Sequence, residues 1–475
     1  MTGKISGRVA SPARAVAATR ILAQVPRFPE LRFDARATRP PRGASGDPVA
    51  LEAVTRETLG GVEGGGLGSA IEQATIRHWL TAESIARVLC NRPWLEVQPE
   101  IRAALLTGIT QILFMPREPD HAVVDDAVSW TRGRLQSGAG GFVNALLRRV
   151  IGLRGAILPA SEQTPWWEHG DSIPLPDGSV QKLNESILSS DPIARLAAQT
   201  SHPMALITRW SVARGVETAR KFALHGLLQM PIVVHHAGGE RLDRDHPVRA
   251  NATPHSVEGF FVWNSSTEVL ASTLAQFPAL LVQDPASARA IDATAELNPR
   301  RILDACAGRG TKAVQCALLH PNAEVWATDP DSSRMASLHA RAEGIPNMKV
   351  VGLAELGVLP AHFDLVLLDV PCSNTGVLAR RLEARYRFTE RNLDELLRLQ
   401  RGIADHHRGL CAPGGTIIWS TCSVDRAENQ DQSKWLAKRA SGRVTHEDEW
   451  LAHGVPGDSQ TMMTDASYHS RVQIP

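Results

Sequence analysis

The stretch Arg301-Ile-Leu-Asp-Ala-Cys-Ala-Gly-Arg-Gly-Thr-Lys312 decides the fold class of the C-terminal part of this chain. Its apolar start predicts a buried strand, and the small residues that follow predict a turn that opens a helix. Glycine lets the backbone approach a ligand, and the amino end of a helix attracts negative groups. Alone, the turn is weak evidence of a ligand site, because many strand-to-helix turns need glycine for packing.

Three similar apolar runs follow this stretch, with helical segments between them, and their alternation predicts a mostly parallel, doubly wound sheet. They are Ala323-Glu-Val-Trp-Ala-Thr-Asp329, Phe363-Asp-Leu-Val-Leu-Leu-Asp369 and Thr416-Ile-Ile-Trp-Ser-Thr421. Ligands bind such sheets at the carboxyl ends of the strands, where an acidic residue such as Asp329 can accept hydrogen bonds from ribose hydroxyls. These features predict a nucleoside-binding domain, without separating NAD from S-adenosylmethionine.

Two of the strand ends lead into segments that each contain a cysteine. The segments are Asp369-Val-Pro-Cys-Ser-Asn-Thr-Gly376 and Ser420-Thr-Cys-Ser-Val-Asp-Arg-Ala-Glu-Asn429. A structural cysteine is more often found inside an apolar run, whereas these two stand among Pro, Ser, Thr and Asn. We therefore expect Cys372 and Cys422 to lie together at the sheet edge that carries the cofactor turn.

Paired thiols and a carboxylate fit chemistry at C5 of cytosine. This carbon is too weak a nucleophile to accept a methyl group unaided, so a thiolate must first add at C6. The site must favour the thiolate, because a free cysteine is mostly protonated at neutral pH. Asp369 is the natural carboxyl group to face N3 of the base. A second cysteine could then remove the C5 proton or orient a water.

The N-terminal part has helical periodicity. Apolar residues recur at helix spacing from about residue 70 to 153, interrupted at Pro116 and Pro119. No acidic residue precedes Glu30, a pattern that also occurs in organellar presequences, but the apolar spacing of residues 10–25 favours a first helix of the domain.

The domain boundaries follow from these patterns. We expect a helical domain at 8–154 with a loop insertion at 26–68, a polar linker at 155–190, a small α/β module at 191–285 and the sheet domain at 286–475.

Composition narrows the remaining classes of function. The 475 residues have a formal net charge of +1, so only local charge can argue for nucleic acid. The six cysteines include no CxxC pair, and no apolar run approaches the roughly 20 residues that span a bilayer. We expect a soluble, cytoplasmic monomer with free thiols, without a membrane segment or a metal site.

The cysteine motifs resemble the Sun/Fmu family of RNA cytosine-5 methyltransferases, in particular bacterial 16S ribosomal RNA enzymes with an N-terminal NusB-like domain. The resemblance to NusB rests on Gly108-Ile-Thr-Gln-Ile-Leu-Phe, His121-Ala-Val-Val-Asp-Asp-Ala-Val and Gly141-Phe-Val-Asn-Ala-Leu-Leu-Arg148. Ser201-His-Pro203 and Val282-Gln-Asp-Pro-Ala-Ser287 resemble the segment that leads into the catalytic domain.

The resemblance implies a fold and a set of roles. It implies a helical NusB-like domain, a small RNA-recognition-like α/β subdomain and a Rossmann-like methyltransferase domain that uses S-adenosylmethionine on 16S ribosomal RNA. It makes Cys422 the nucleophile, Cys372 the cysteine that assists release and Asp369 the acidic residue at the base. The implied cofactor positions are Asp304, Ala305, Cys306, Ala307, Gly308, Arg309, Gly310, Lys312, Asp329 and Asp369.

Five arginines are the candidates for RNA phosphate contacts, with a solvated surface as the equal alternative. They are Arg148, Arg149, Arg380, Arg381 and Arg385.

The chain departs from the family pattern in the cofactor region. Arg309 stands where proline is common, Leu353 where an aspartate near the adenine is usual, and Arg380-Arg-Leu-Glu-Ala384 replaces Arg-Arg-x-Pro-Asp. Ala466-Ser-Tyr468 replaces a C-terminal Gly-Phe-Phe. These departures favour a second hypothesis, an RNA-binding or ribosome-assembly protein with a degenerate methyltransferase domain. A free antitermination factor resembling NusB would leave the sheet domain unexplained.

Overall fold

The computed structural model describes residues 10–25, 66–135, 138–160, 165–238, 246–356 and 363–475. Its contacts divide the chain into two compact units, Met1–Ala223 and Leu224–Pro475. This single division at Ala223 differs from the expected boundaries at 154, 190 and 285. Of the loop predicted at 26–68, residues 26–65 lie outside the described residues.

The N-terminal unit begins with helices, as the periodicity predicts. They span Pro12–Gln24, Leu67–Arg77, Trp79–Leu89, Pro99–Phe114, Asp120–Arg132 and Ala139–Leu153. Ser11 caps the first helix by accepting a hydrogen bond from the Arg14 backbone N–H. The Arg14 side chain pairs with Asp126 at 2.8 Å and with Glu118, so the first helix belongs to this bundle.

Two of these helices pack closely because Gly108 has no side chain. A Cβ at this position in the helix Pro99–Phe114 would lie 2.7 Å from Cδ2 of Leu147 in the helix Ala139–Leu153, so the Leu147 side chain would have to move. The glycine quoted in the NusB-like stretch thus has a packing role.

Residues 154–183 form a sheet, which corrects the prediction of a linker at 155–190. The strands are β1 Arg154–Leu158, β2 Ser172–Pro174 and β3 Val180–Leu183, in the antiparallel order β1-β3-β2. Sequence pattern missed it because the strands are only three to five residues long.

The helices Pro192–Thr200 and Met204–Arg214 belong to the N-terminal unit, although we expected the small α/β module to begin at 191. Thr81 donates a hydrogen bond to the Ala198 carbonyl at 2.7 Å, and Ser201 accepts one from the Leu80 backbone N–H at 2.9 Å. These contacts bind the helices to the bundle. The helix Val216–His225 spans the boundary between the units.

The C-terminal unit opens with a four-stranded antiparallel sheet. Its strands are β4 Val233–His236, β5 Ala252–Pro254, β6 Phe260–Trp263 and β7 Leu280–Val282, in the order β5-β6-β4-β7. The helices Pro247–Ala250, Thr267–Gln276 and Pro285–Asp292 accompany it. These strands and helices form a small α/β module that begins at Leu224, within the range 191–285 in which we expected one.

The second sheet of this unit has seven strands. They are β8 Arg301–Asp304, β9 Glu324–Ala327, β10 Met348–Val350, β11 Phe363–Asp369, β12 Cys411–Thr421, β13 Arg443–Trp450 and β14 Ser467–Gln473. Their order is β10-β9-β8-β11-β12-β14-β13, parallel up to β12 and antiparallel for the last two strands. The predicted mixed α/β fold with a mostly parallel sheet is confirmed.

Helices lie between these strands. They span Thr311–Leu319, Ser332–Ala342, Leu353–Leu356, Ala384–Arg387, Glu390–His407 and Gln430–Arg439. Strand β11 shows why the sheet is buried on both faces: Leu365 and Leu367 enter one apolar cluster, while Val366 and Leu368 enter another. Within the described residues, no helix is both long and apolar enough to cross a membrane.

Candidate active site

The site lies where the strand order reverses, at the carboxyl ends of β8, β11 and β12. Asp369 and Ser420 are paired across β11 and β12, and the two cysteine segments continue from these residues. The Gly376 N–H donates to the Cys422 carbonyl at 2.9 Å and joins the segments. Their register brings the two thiols together, with 3.2 Å between Cys372 Sγ and Cys422 Sγ.

Asn374 lies between the cysteine segments and contacts both. Its amide nitrogen donates to the Cys372 carbonyl at 2.9 Å, and its side-chain oxygen accepts from the Cys422 thiol at 3.2 Å. Its φ of 59° lies in the left-handed region, which asparagine tolerates better than most residues. This turn directs Cys372 toward Cys422, which is half-buried.

Asp369 is held by two donors beside the thiols. Its carboxylate accepts from Lys312 Nζ at 2.7 Å and from Ser420 Oγ at 2.9 Å. Burial lowers the pKa of Lys312, but the charges of Asp369 and Cys422 raise it more, so this pKa lies above the ordinary lysine value. Lys312 is therefore a permanent cation at the site, and it favours negative charge on both neighbours.

The turn after β8 has the conformation that its glycines allow. Gly308 and Gly310 have φ values of 56° and 91°, and a Cβ at Gly310 would lie 2.6 Å from Leu338 Cδ1. A Cβ at Gly308 would meet nothing within 4 Å, so the chain leaves open space above this residue. Arg309 between them is exposed. The unusual cation thus does not prevent the turn from forming.

Asp304 is completely buried at the base of this turn. One carboxylate oxygen accepts from the Cys306 N–H at 3.3 Å, and the other has no partner among the described residues. Burial, followed by the charge of Asp369, raises the pKa of Asp304 to about 7. The pKa of the Cys306 thiol is also raised, by burial and then by Asp304, so this cysteine is a poor nucleophile.

Asp329 connects the turn to an open cleft. Its carboxylate accepts from the Gly308 N–H at 3.0 Å and from the Asp331 N–H at 2.9 Å. The cleft has a volume of about 530 Å³ and is lined by Asp329, Pro330, Ser332, Met335, Ala336, His339, Gly352 and Leu353. Leu353 thus shares the cleft with Asp329.

Two of the arginines predicted to contact RNA have structural positions instead. Arg385 is fully buried and donates to the carbonyls of Gly226 and Leu378. Arg380 donates to Asp465, Asp284 and a backbone carbonyl. Both guanidinium groups are held by partners within the C-terminal unit, although Arg380 is partly exposed, so both have structural roles. Sequence could not reveal this, because the partners lie far away along the chain.

The other predicted RNA contacts have exposed positions. Arg381 is exposed, and so are Arg148 and Arg149 on the last helix of the N-terminal bundle. Arg148 donates to Asn144 at 3.1 Å and Arg149 to the Leu89 carbonyl at 2.6 Å, contacts that leave further N–H groups on each guanidinium.

Comparison with known proteins connects this site to a family. Residues 293–458 match the family model described as 16S rRNA methyltransferase RsmB/F, and residues 65–152 match the NusB family. The part of the chain that carries the thiols thus resembles the RsmB/F family of methyltransferases. The expected resemblance is therefore confirmed, and the NusB match falls on the helices of the N-terminal bundle.

Two named relatives match about three quarters of the chain. It is 25% identical over 384 residues to a Bacillus subtilis protein named "Probable ribosomal RNA small subunit methyltransferase B", covering 77% of this chain and 78% of the relative. Ribosomal RNA small subunit methyltransferase B of Salmonella paratyphi A is 27% identical over 75% of this chain and 78% of its own. The F enzyme of Cronobacter sakazakii is 36% identical over 30% of this chain and 31% of its own.

The solved structure of PH0851 has the same fold. It superposes with a TM-score of 0.64 and 17% sequence identity, covering 98% of this chain and 99% of that one.

Three buried acidic residues of the C-terminal unit were missed by sequence reasoning. Glu428 bonds the Cys372 segment, and Asp284 and Asp465 share Arg380. Glu428 and Asp284 stand in stretches that were singled out for other residues, but no local pattern distinguishes a buried glutamate from a solvated one. Their burial is decided by elements that are distant in sequence.

Proposed function

We propose that the protein methylates C5 of a cytosine in 16S ribosomal RNA, with S-adenosylmethionine as methyl donor and a covalent bond between Cys422 and C6 of the base. The observation that carries this proposal is the 3.2 Å distance between the thiols of Cys372 and Cys422, with Asp369 and Lys312 beside them. Redox and zinc chemistry are weaker explanations of this pair, because a carboxylate–lysine ion pair adjoins it.

The residues at the turn after β8 fit the proposed cofactor. The open space above Gly308 leaves room for a ligand against the backbone, and the second oxygen of buried Asp304 has no partner among the described residues. Asp329 in the cleft can accept hydrogen bonds from the ribose hydroxyls of the cofactor. The segment from Ala305 to Gly310 can bind its methionine part. When bound, S-adenosylmethionine supplies an electrophilic methyl group.

The chain's own residues would act in sequence on the base. The Cys422 thiolate attacks C6, and the electron pair of the C5–C6 double bond moves toward C5, which becomes nucleophilic. Asp369, held by Lys312 and Ser420, faces N3, and the Lys312 cation paired with it balances the negative charge that develops on the ring as the thiolate adds. After methylation, Cys372 accepts the C5 proton as the bond between Cys422 and C6 breaks.

Exposed cations of the N-terminal unit support RNA as the partner. Arg148 and Arg149 occupy consecutive positions on an exposed helix surface, where they can contact phosphates. The named relatives are ribosomal RNA small subunit methyltransferases. We further propose that the protein acts in the cytoplasm as a monomer.

A second candidate is supported by the cleft. Leu353 contributes an apolar side chain where the family usually has an aspartate, and this would weaken recognition of an adenine amino group. A protein that binds RNA and assists ribosome assembly without methyl transfer is therefore the alternative function.

The experiment that separates these functions uses the full chain, methyl-labelled S-adenosylmethionine and unmodified 16S ribosomal RNA. We expect wild type to transfer label to C5 of cytosine, Cys422→Ala to transfer none, and Cys372→Ala to accumulate a covalent adduct with RNA. Cys90→Ala, in the N-terminal unit, is the matched control and should behave as wild type. Wild type that binds RNA but neither binds the cofactor nor transfers label would support the alternative.

A further inference from the structure

The two thiols at the site have unlike neighbours. Lys312 interacts with the charge of Cys422, and this interaction is one reason why the lysine pKa is raised. Glu428 acts on the other thiol, because its carboxylate binds the residue that directly follows Cys372. The charge that acts on Cys422 is thus a cation, and the charge of Glu428 that acts on Cys372 is an anion.

Glu428, near the end of the Cys422 segment, is fully buried and contacts both the helix Glu390–His407 and the Cys372 segment. One carboxylate oxygen accepts from the Ser373 backbone N–H at 2.9 Å and from the Gln400 amide at 2.9 Å. The other accepts from the Ser373 hydroxyl. Backbone and amide N–H groups can only donate, so this set of partners fits an ionised carboxylate, although burial raises the pKa of Glu428.

The remaining groups around Cys372 are few. Its thiol contacts Cys422, and its carbonyl accepts from Asn374. The pKa of Cys372 is raised well above the usual thiol value, first by the hydrogen bond with Cys422 and burial, then by the charges of Cys422 and Glu428. The ionisable groups that face this region are thus Cys422 on one side and Glu428, with Asp425 behind it, on the other.

We propose that Glu428 is a positioning residue, which holds the Cys372 segment against Cys422 and keeps Cys372 in its thiol form while Cys422 ionises. This inference rests on the proposed function. The negative charge of Glu428 opposes a second negative charge next to it, whereas Lys312 stabilises one on Cys422. The two cysteines are thereby assigned to different steps although they are neighbours.

The arrangement also sets the order of events. Once Cys422 is bonded to C6, its sulfur can no longer carry a negative charge or, as a thiolate, accept a hydrogen bond from the Cys372 thiol. Two of the four influences that oppose ionisation of Cys372 disappear at that moment. Cys372 then loses its proton to solvent, and its thiolate is available to take up the proton from C5 as the adduct breaks down.

The test measures the ionisation of Cys372 directly, in full-length protein with Cys422→Ala so that only one thiol remains in the site. Alkylation by iodoacetamide is followed across pH by peptide mass spectrometry, with fully buried Cys316 as the unreactive reference. We expect a midpoint above the free-thiol value of about 8.5. Adding Glu428→Gln, which removes the charge and keeps the shape, should lower the midpoint by about one pH unit or more.

Two further variants separate charge from packing. Gln400→Leu removes a partner of Glu428 without changing its charge, and it should reduce thermal stability while leaving the Cys372 midpoint in place. Glu428→Asp retains the charge and should keep the midpoint near the value for the parent protein. An unchanged midpoint in Glu428→Gln, or an equal shift in Gln400→Leu, would overturn the proposal.

The outcome remains decisive if Glu428→Gln does not fold, because a Cys372 midpoint at or below the free-thiol value in the parent protein would also overturn the proposal. The titration needs neither RNA nor cofactor. Failure of wild type to form an adduct with RNA would therefore refute the proposed function without affecting this measurement.

Discussion

Lys312 is the residue on which the charge balance of the site depends. It is largely buried, its ammonium group lies 2.7 Å from Asp369 Oδ2, and it interacts with Cys422. Lys312→Met removes this cation, so that Asp369 is left without its main partner and the Cys422 thiolate becomes less stable. We expect the rate of methyl transfer to fall about 100-fold, comparable to the loss of one electrostatic contact in an active site. Initial rates of label transfer to RNA measure this.

The matched control is Lys349→Met, which removes a lysine charge from an exposed position over the Trp326 ring. Its rate should equal that of wild type. A Lys312→Met protein with the wild-type rate would show that the thiol needs no cation.

The proximity of the Cys372 and Cys422 thiols has a consequence that needs no substrate. Diamide takes up two hydrogen atoms when it joins two thiols, and the 3.2 Å between Cys372 and Cys422 makes them the nearest such pair among the described cysteines. We expect diamide to form a disulfide between them, to abolish methyl transfer, and dithiothreitol to restore it. Peptide mapping under non-reducing conditions identifies the bond. A disulfide that involves Cys306 or Cys411 instead would contradict the observed arrangement.

At the scale of elements, the two cysteine segments approach most closely at Gly376. A Cβ there would lie 2.7 Å from the Cys422 carbonyl oxygen and 2.9 Å from Ala466 Cβ. Because one of these neighbours is backbone, Gly376→Ala must push the segments apart. We expect a loss of about 1–3 kcal/mol in the free energy of unfolding, and methyl transfer below a tenth of wild type. Thermal or urea unfolding and initial rates measure these effects.

Gly402→Ala is the matched control, because a Cβ at this position in the helix Glu390–His407 meets nothing within 4 Å. Alanine in a helix interior should stabilise the protein by about 0.5–1 kcal/mol. If both variants behave alike, close packing at Gly376 is not what matters.

The helices and strands also show which parts of the fold could be predicted from the sequence. The strand ends at Asp304, Asp369 and Thr421 could be predicted because each apolar run is local and ends in a polar residue. The sheet at 154–183 could not, because its short strands contain no apolar alternation that would distinguish them from a polar connection. Local pattern identifies elements whose own residues are buried, and misses elements stabilised mainly by neighbours.

At the scale of the C-terminal unit, a buried ionic cluster joins the small sheet to the catalytic sheet. Asp284, after β7, and Asp465, before β14, both bind Arg380, at 2.9 Å and 2.6 Å. One guanidinium cannot neutralise two carboxylates. Burial, and then the charge of Asp465, accordingly raise the pKa of Asp284 to about 6.

Because the pKa of Asp284 is raised, its contribution to the stability of the folded protein decreases as pH rises. Asp284 binds a proton more tightly in the folded than in the unfolded chain, so its contribution is present below the unfolded pKa of about 4 and is lost as pH rises to about 6. Asp284→Asn removes this titration but keeps a side chain able to cap the helix Pro285–Asp292. We expect the variant to gain stability relative to wild type between pH 4 and 7, as measured by thermal unfolding across this range.

The comparison must be made between variant and wild type, because buried histidines act in the opposite direction. Burial lowers the pKa of His225 to about 4, so its contribution to stability is lost as pH falls. Asp191→Asn, which replaces the cap of a helix in the N-terminal unit, controls for the effect of the cap itself. It should change the thermal unfolding temperature equally at pH 4 and at pH 7. If Asp284→Asn also changed the unfolding temperature equally at pH 4 and at pH 7, Asp284 would not titrate between these pH values.

The sequence by itself determined the class of sheet, the turn after β8 and the two segments that contain Cys372 and Cys422. Each of these features could be predicted from the spacing and composition of a short run of residues. Only the tertiary structure decided that Arg380 and Arg385 are occupied internally, that Lys312 faces Cys422 and that Glu428 lies against the Cys372 segment. The reason is that burial and charge depend on partners brought together by the fold, and no local pattern contains them.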